Sequence, residues 1–381
     1  MLAPAGGQTG LAELGGRLRL ADVWLVIGTR PEAIKLAPVV HALKARGIAL
    51  RLVLTGQHPG LDPADHGLGA FDAVRLGCRG KDDPRDHALA VATHLADKLT
   101  GPKPGLIVVQ GDTSSAMGGA LAADALSLPL SHVEAGLRTH DLLQPWPEEE
   151  FRIAIDARSD LLFAPTDLSA ANLRAEKVLG QIHVTGNTGI DAVLAAAEDL
   201  PIDEYGSPRI LVTCHRRESW GEGLRSIAAA LIELRARIPI DLVLHPNPKV
   251  AGTMRTALAG QDTIQLLPPC GHREMLARMS AATITLSDSG GMQEEAAAIG
   301  APLLVLRDKT ERPEAIATGN MVLVGTDTRR IVAVVRRLLA DPIALAAMAR
   351  PAFPYGDGRS GPRIAGIIVD WLAQRKRARS R

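Results

Sequence analysis

Aromatic side chains are scarce in this sequence. Four Phe, four Trp and two Tyr make up 3% of its 381 residues. A single-strand nucleic-acid platform needs stacked rings, as does a lectin-like sugar surface, so the composition argues against both. Net charge is nearly absent as well: 43 Lys and Arg stand against 42 Asp and Glu, leaving +1. Such a chain has no overall pull on a polyanion, and any phosphate has to be held by a few placed groups. The one basic run, Arg375 to Arg379, reads as a solvated tail. Cysteine is limited to Cys78, Cys214 and Cys270, with no C-x-x-C. That supports neither a disulfide framework nor a thiolate zinc site, and it fits a reducing compartment. The eleven histidines show no H-E-x-x-H spacing, so metal chemistry is not indicated. No apolar run approaches the ~20 residues of a membrane helix. The first twenty residues are Gly-rich, and Glu13, Arg17 and Arg19 interrupt any signal-like core. The expectation is a cytoplasmic protein with no membrane or nucleic-acid partner.

What the sequence does contain is a repeated alternation. Hydrophobic residues reach 46%, and the length suits two domains at ~100–200 residues each. Short β-rich runs are expected as strands at Asp22–Ile27, Ala49–Leu54, Leu106–Gln110, Pro129–Val133 and Leu161–Ala164. Between them, helices are expected near Glu32–Arg46, Arg85–Leu99 and Ser114–Leu126. The pattern restarts with strands at Arg209–Thr213, Ile240–Leu244, Thr263–Leu267, Thr283–Ser287 and Leu303–Leu306. Helices near Gly223–Ala236, Arg273–Ser280 and Met292–Ile299 accompany them, and a last helix covers about Ser360–Arg375. Alternation of this kind predicts an α/β protein of two doubly wound, Rossmann-like halves, with ligands bound beyond the carboxyl ends of the strands. The expected division is 1–20 as an extension, 21–187, 188–355, and 356–381 as a returning helix, with the seam near Pro201 and Gly206–Pro208.

Several strand ends carry groups suited to chemistry. The first runs into Gly28-Thr29-Arg30-Pro31-Glu32-Ala33-Ile34-Lys35. Pro31 suits a first helical turn, and Arg30 and Lys35 place two cations where a helix N-terminus favours an anion. The turn lacks both G-x-G-x-x-G and GK[ST], so it is neither a dinucleotide fingerprint nor a P-loop. Ser287 to Glu295 follows another strand and opens a helix. Ser289 is expected to cap it, and Gly290 and Gly291 would let a phosphate reach backbone N–H groups. Glu295, a turn deeper, suits a ribose diol, and Arg312 adds a cation from the next loop. An ordinary capped turn would account for either stretch alone. Carboxylates collect beyond the first-half strands: Asp112, Glu134, and Glu148 with Glu149 after Pro145-Trp146-Pro147, with Arg152 one turn on. Crowded and half-buried, some of them would hold protons more tightly than usual, which suits proton transfer. In the second half, His215 stands beside Arg216 and Arg217 as a phosphate contact or proton shuttle, or as a structural histidine. Cys214 reads as a filler, with no identifiable activating group.

Taken in order, these motifs resemble the non-hydrolysing UDP-N-acetylglucosamine 2-epimerase family. The matching stretches are Gly28–Lys35, Gly111–Thr113, His132–Arg138, Pro145–Glu149, Gly186–Asp191, His215–Glu218, Asp288–Glu295, Thr310–Ala315 and Tyr355–Gly358, so the likeness runs from about Val23 to about Ile367. It implies the GT-B fold, with two Rossmann-like domains facing a cleft and a last helix crossing back to the first. It implies interconversion of UDP-N-acetylglucosamine and UDP-N-acetylmannosamine without a nicotinamide or other cofactor. Product would be supplied to cell-surface polysaccharides. Carried over by motif, Asp112, Glu134, Glu148 and His215 are catalytic. Arg30, Lys35, Arg152, Ser289, Gly290, Gly291, Glu295 and Arg312 bind the nucleotide sugar. The family often dimerises.

The chain also departs from the family pattern. The usual Gln-His-Arg-Glu-Met-Leu stretch reads Gln57-His58-Pro59-Gly60-Leu61-Asp62. In bacterial members that stretch contributes to a second, activating site for UDP-N-acetylglucosamine, and its Arg–Glu pair is absent here. The uracil-side loop, usually bearing Gln and an aromatic, carries Cys270 and Met275. Cys214 replaces a usual Gly, and Phe151 a usual Asn. These changes leave room for a related UDP-sugar. The alternatives are a hydrolysing relative that releases N-acetylmannosamine and UDP, a GT-B glycosyltransferase, and a silent nucleotide-sugar sensor. The Arg30-Pro31-Glu32-Ala33 run favours the first reading over hydrolysis, and the acid/base set argues against a sensor.

Overall fold

A computed structural model describes residues 22–99, 103–198, 208–214 and 221–379. The N-terminal extension, His215, Arg216 and Arg217 lie outside the described residues, as does most of the expected seam. The first sheet contains β1 (Val23–Ile27), β2 (Leu50–Leu54), β3 (Ala73–Arg75), β4 (Leu106–Gln110), β5 (Leu130–Val133), β6 (Leu161–Ala164) and β7 (Gln181–Val184). All its neighbours are parallel, in the order β3-β2-β1-β4-β5-β6-β7. The second contains β8 (Ile210–Thr213), β9 (Ile240–Val243), β10 (Ile264–Leu267), β11 (Ile284–Ser287), β12 (Leu303–Val305) and β13 (Met321–Leu323), ordered β10-β9-β8-β11-β12-β13. In both, strand order reverses beside the first strand of the set, the Rossmann pattern with its crevice at the reversal.

The sequence explains the layering. Strands buried on both faces read as unbroken apolar runs, and Val23–Ile27 is buried throughout. One face, Val23, Leu25 and Ile27, packs on Leu36, Val40 and Leu43 of the helix Arg30–Ala45. The other, Trp24 and Val26, packs on Val91, Leu95 and the Ala-rich helix Ser114–Ala125. The second sheet does the same with Ile227 and Leu231 on one side and Met279 and Ala296 on the other. The last helix, Ser360–Arg379, inserts Ile364, Ile368, Trp371 and Leu372 into the first half's core. Each large side chain so buried contributes about 1.5–3 kcal/mol. This helix thus returns to the first half, and the two doubly wound halves form the expected GT-B arrangement.

Strand and helix positions agree with expectation to within two residues, except that the last helix continues to Arg379, so the basic run is its final stretch rather than a tail. The first helix begins at Arg30 rather than Glu32. Thr29 accepts from the Glu32 amide, and the Glu32 carboxylate accepts from the Thr29 amide, a reciprocal cap that starts the helix earlier. The edge strands β3, β7 and β13 are additions; β13 is only three residues long, and the other two give little signal. β3 and β7 are largely exposed and lack an apolar run. The helices Glu148–Asp156, Asp167–Ala175, Thr188–Ala197, Pro248–Ala257 and Thr328–Ala340 are also additions. Among the described residues no helix is long and apolar enough to cross a membrane.

Candidate active site

The first-half site is assembled at the carboxyl ends of β1, β4 and β5. Gly28 leaves β1 where a Cβ would lie 1.9 Å from Ser115 Oγ and 2.5 Å from Thr55 Oγ1, so only glycine fits. Glu32 draws this exit together. It accepts from the amides of Gly28 (2.8 Å) and Thr29 (2.6 Å) and from Thr113 Oγ1 (2.6 Å). Burial raises its carboxyl above the ordinary range despite these hydrogen bonds. The turn after β1 is thereby bound to the turn after β4, which carries Asp112. Arg30 stands exposed at the helix start.

The carboxylates are interleaved with cations, which corrects the expectation of crowded like charges. Asp112 pairs with Arg152, whose Nε lies 3.0 Å from Oδ2 and whose Nη2 donates to the same oxygen. Arg152 Nη1 also donates to Glu149 at 3.0 Å. Glu149, buried, accepts from the amides of Thr139 (2.9 Å) and His140 (2.9 Å) and so anchors the loop before it. Glu148 opens the same helix, half-buried at the cleft. Glu134 follows β5 with φ +71°. It accepts from Lys35 Nζ at 2.6 Å, from Arg312 Nη2 at 2.8 Å and from Gln110 Nε2. Burial disfavours the Lys35 ammonium, but the Glu134 and Glu294 carboxylates outweigh it and raise its pKa. Within this cluster burial raises the carboxyls of Glu32 and Glu294, neither of which the sequence reading singled out.

Arg312 joins the halves. Its guanidinium donates to Glu134 of the first and to Glu294 and Glu311 of the second, all of them buried. Its three nitrogens, spread in a planar fork, each donate to a different carboxylate. Tyr355 holds the loop by donating to the Arg312 carbonyl at 2.9 Å and accepting from the Ala315 amide at 3.1 Å. Further ties cross the cleft from Thr166 to Glu314 (2.7 Å) and from Lys309 to Asp141 (2.8 Å).

On the second side, the helix Gly290–Ile299 points its N-terminus at this cluster. A Cβ on Gly290 would meet Arg312 Nη1 at 2.8 Å. Ser289 occupies the cap position, yet its hydroxyl makes no cap hydrogen bond; instead its amide donates to Ser287 Oγ at 3.0 Å. The expected Ser289 cap is therefore not formed. Glu295 accepts from His272 Nε2 at 3.1 Å. Burial lowers the His272 ring, but Glu295 more than offsets this and the net shift is upward. Sequence reasoning missed His272, although it lies two residues beyond Cys270. Cys270 and Met275 are half-buried against the second-half core. Cys214 is buried, and burial with nearby Asp288 pushes its thiol well up, as befits a filler. Among the described residues no group of three His, Cys, Asp or Glu side chains could hold a metal.

Comparison with known proteins decides the family. A family model described as UDP-N-acetylglucosamine 2-epimerase matches residues 41–369. The chain belongs to the UDP-N-acetylglucosamine 2-epimerase family. It is 40% identical over 372 residues to the Salmonella typhimurium UDP-N-acetylglucosamine 2-epimerase, covering 92% of this chain and 98% of that one. The Neisseria meningitidis enzyme, solved bound to UDP-GlcNAc, superposes with TM-score 0.87 at 35% identity, over 92% of this chain and 100% of that one. The Methanocaldococcus jannaschii enzyme, in complex with UDP-GlcNAc and UDP, gives 0.82 at 31%, over 91% and 99%.

Proposed function

We propose that this member of the epimerase family interconverts UDP-N-acetylglucosamine and UDP-N-acetylmannosamine without releasing free sugar. The observation that carries this reading is the pairing of acid/base carboxylates with cations across one cleft: Asp112 and Glu134 beyond adjacent strands, with Arg312 of the second half on Glu134. The relatives solved with UDP-GlcNAc and UDP supply the substrate class.

The C2 proton of a sugar is weakly acidic, so its removal has to be coupled to departure of a stabilised leaving group. A carboxylate takes the proton, the C2 electron pair forms the C1=C2 bond, and the C1–O bond breaks. The products are UDP and 2-acetamidoglucal. Reversal on the other face of C2 returns a proton as the UDP oxygen re-adds to C1. Two faces require more than one proton carrier, a part suited to Asp112, Glu134 and Glu148. Negative charge growing on the diphosphate would be met by Arg30, Lys35, Arg312, His215 and the helix start at Ser289, Gly290 and Gly291. Arg152 steadies Asp112 and borders the same site. Glu295, held by His272, suits the ribose diol. Near Cys270 and Met275 the uracil would rest on backbone and aliphatic contacts. Both fragments stay bound between the stages, consistent with a cleft tied across by Thr166, Lys309 and Arg312.

The test is incubation with UDP-N-acetylglucosamine alone, followed by NMR. The UDP-linked manno epimer is the expected product. Free N-acetylmannosamine with UDP would replace this reading by hydrolysis, and no turnover by the folded protein would overturn it.

A further inference from the structure

Beneath the carboxylates lies a buried pair that the mechanism does not use. His132, on β5, is fully buried, with Nδ1 2.6 Å from Asp156 Oδ1 and Nε2 2.9 Å from the Gly111 carbonyl oxygen. Both partners are acceptors. A neutral imidazole carries one N–H and can satisfy only one of them; a doubly protonated ring satisfies both. The charge is balanced within the cluster. Asp156 also accepts from Arg138 Nη2 (2.7 Å) and from the Gly136 amide (3.1 Å). Arg138 in turn is shared with Glu176. Burial works against the Asp156 carboxylate, but His132 and Arg138 outweigh it and keep it ionised.

We propose that His132 is a positioning residue: as an imidazolium paired with Asp156, it fixes the Gly111 carbonyl and with it the placement of Asp112. Gly111 is the left-handed residue (φ +67°) that turns the chain out of β4, and Asp112 is the next residue. The Gly111 amide is already tied to the Val133 carbonyl at 3.0 Å. With the His132 bond to its carbonyl, both of its backbone polar groups are held. The same Asp156 carboxylate grips the Gly136 amide, two residues past Glu134. One buried ion pair therefore sets the spacing between the turns that carry two acid/base groups. A displacement of about 1 Å in such a group costs about 100-fold in rate.

The inference rests on the proposed acid/base role of Asp112, and the variants separate the two. In His132→Asn the amide nitrogen can still reach Asp156 but leaves the Gly111 carbonyl unpaired. In His132→Gln a longer amide can reach that carbonyl. The expected result is a kcat for His132→Asn lower by about 100-fold, with KM and UDP affinity unchanged and partial recovery in His132→Gln. A folded His132→Asn with wild-type kcat, equal impairment of both variants, or a loss confined to KM would overturn the proposal. Should neither variant fold, 15N-histidine NMR of the wild-type protein decides. Two protonated ring nitrogens on His132 are expected, and a bare Nε2 overturns the claim. C2 exchange that survives Asp112→Asn would remove the acid/base reading itself. Exchange lost there but intact in His132→Asn would remove only the positioning role.

Discussion

Replacing Arg312 with methionine tests the electrostatic joint between the halves. The change keeps an unbranched side chain but leaves Glu134, Glu294 and Glu311 without their shared cation. Those carboxylates are 5%, 2% and 1% exposed, so water cannot take the guanidinium's place. Lys35 still serves Glu134 and Arg307 still serves Glu311, while Glu294 loses its direct partner. Removing one member of a buried pair costs about 3–5 kcal/mol, and that is the expected drop at roughly pH 7.5, read as a lower urea midpoint. The sign of its pH dependence follows from Glu294. Burial already raises this carboxyl above 4.5 despite Arg312 and Lys35, and losing Arg312 raises it further. A carboxyl raised in the native state binds its proton more readily folded than unfolded. The deficit is therefore full above the raised value and shrinks as pH falls through it toward 4.5. A deficit below about 1 kcal/mol, the range of exposed pairs, or one that grows in acid, would refute the reasoning.

Other perturbations probe separate parts. Asp112→Asn and Glu134→Gln should each lower C2 proton exchange by about 10²–10⁴-fold while UDP still binds by calorimetry; unchanged exchange would take the residue out of the mechanism. Gly28→Ala forces a methyl against Ser115 and Thr55 and should cost about 1–3 kcal/mol by thermal unfolding; a neutral result would mean the turn has slack. The raised His272 contributes stability fully present below its ordinary 6.5 and lost as pH rises through its folded value. His272→Gln should abolish that part of the pH slope and weaken UDP affinity most at acidic pH, where the imidazolium holds Glu295. A titration curve identical to wild type would contradict this.

The strands and the site's edge were legible because burial on both faces leaves a clear record. Runs such as Val23–Ile27 and Leu106–Gln110 have few other uses. Polar residues just past them read as site candidates because parallel strands share one carboxyl edge. Partners were not legible. Lys35 and Glu134 lie 99 residues apart, and Arg312 and Glu134 lie 178 apart. Nothing local records that these cations pair with a carboxylate from so distant a stretch of chain. Glu32 and Glu149 lie in first helical turns, yet they are buried anchors for loops reached only through tertiary contact. Ser289 has the residue type and position of a cap, but its amide donates to Ser287 Oγ and its own hydroxyl makes no cap hydrogen bond. The amphipathic helix Thr328–Ala340 did have a local signal, in the spacing of Ile331, Val332, Val335 and Leu338.

On the proposed mechanism, proton loss at C2 is coupled to cleavage of the C1–O bond in this cleft. Its most direct test uses UDP-N-acetylglucosamine labelled with 18O at the oxygen linking C1 to phosphorus, incubated with the protein in D2O. Deuterium is expected at C2 of both epimers, together with movement of the label into the non-bridging oxygens of the β-phosphate. Epimerisation without deuterium, or with the label retained in the bridge, would contradict it.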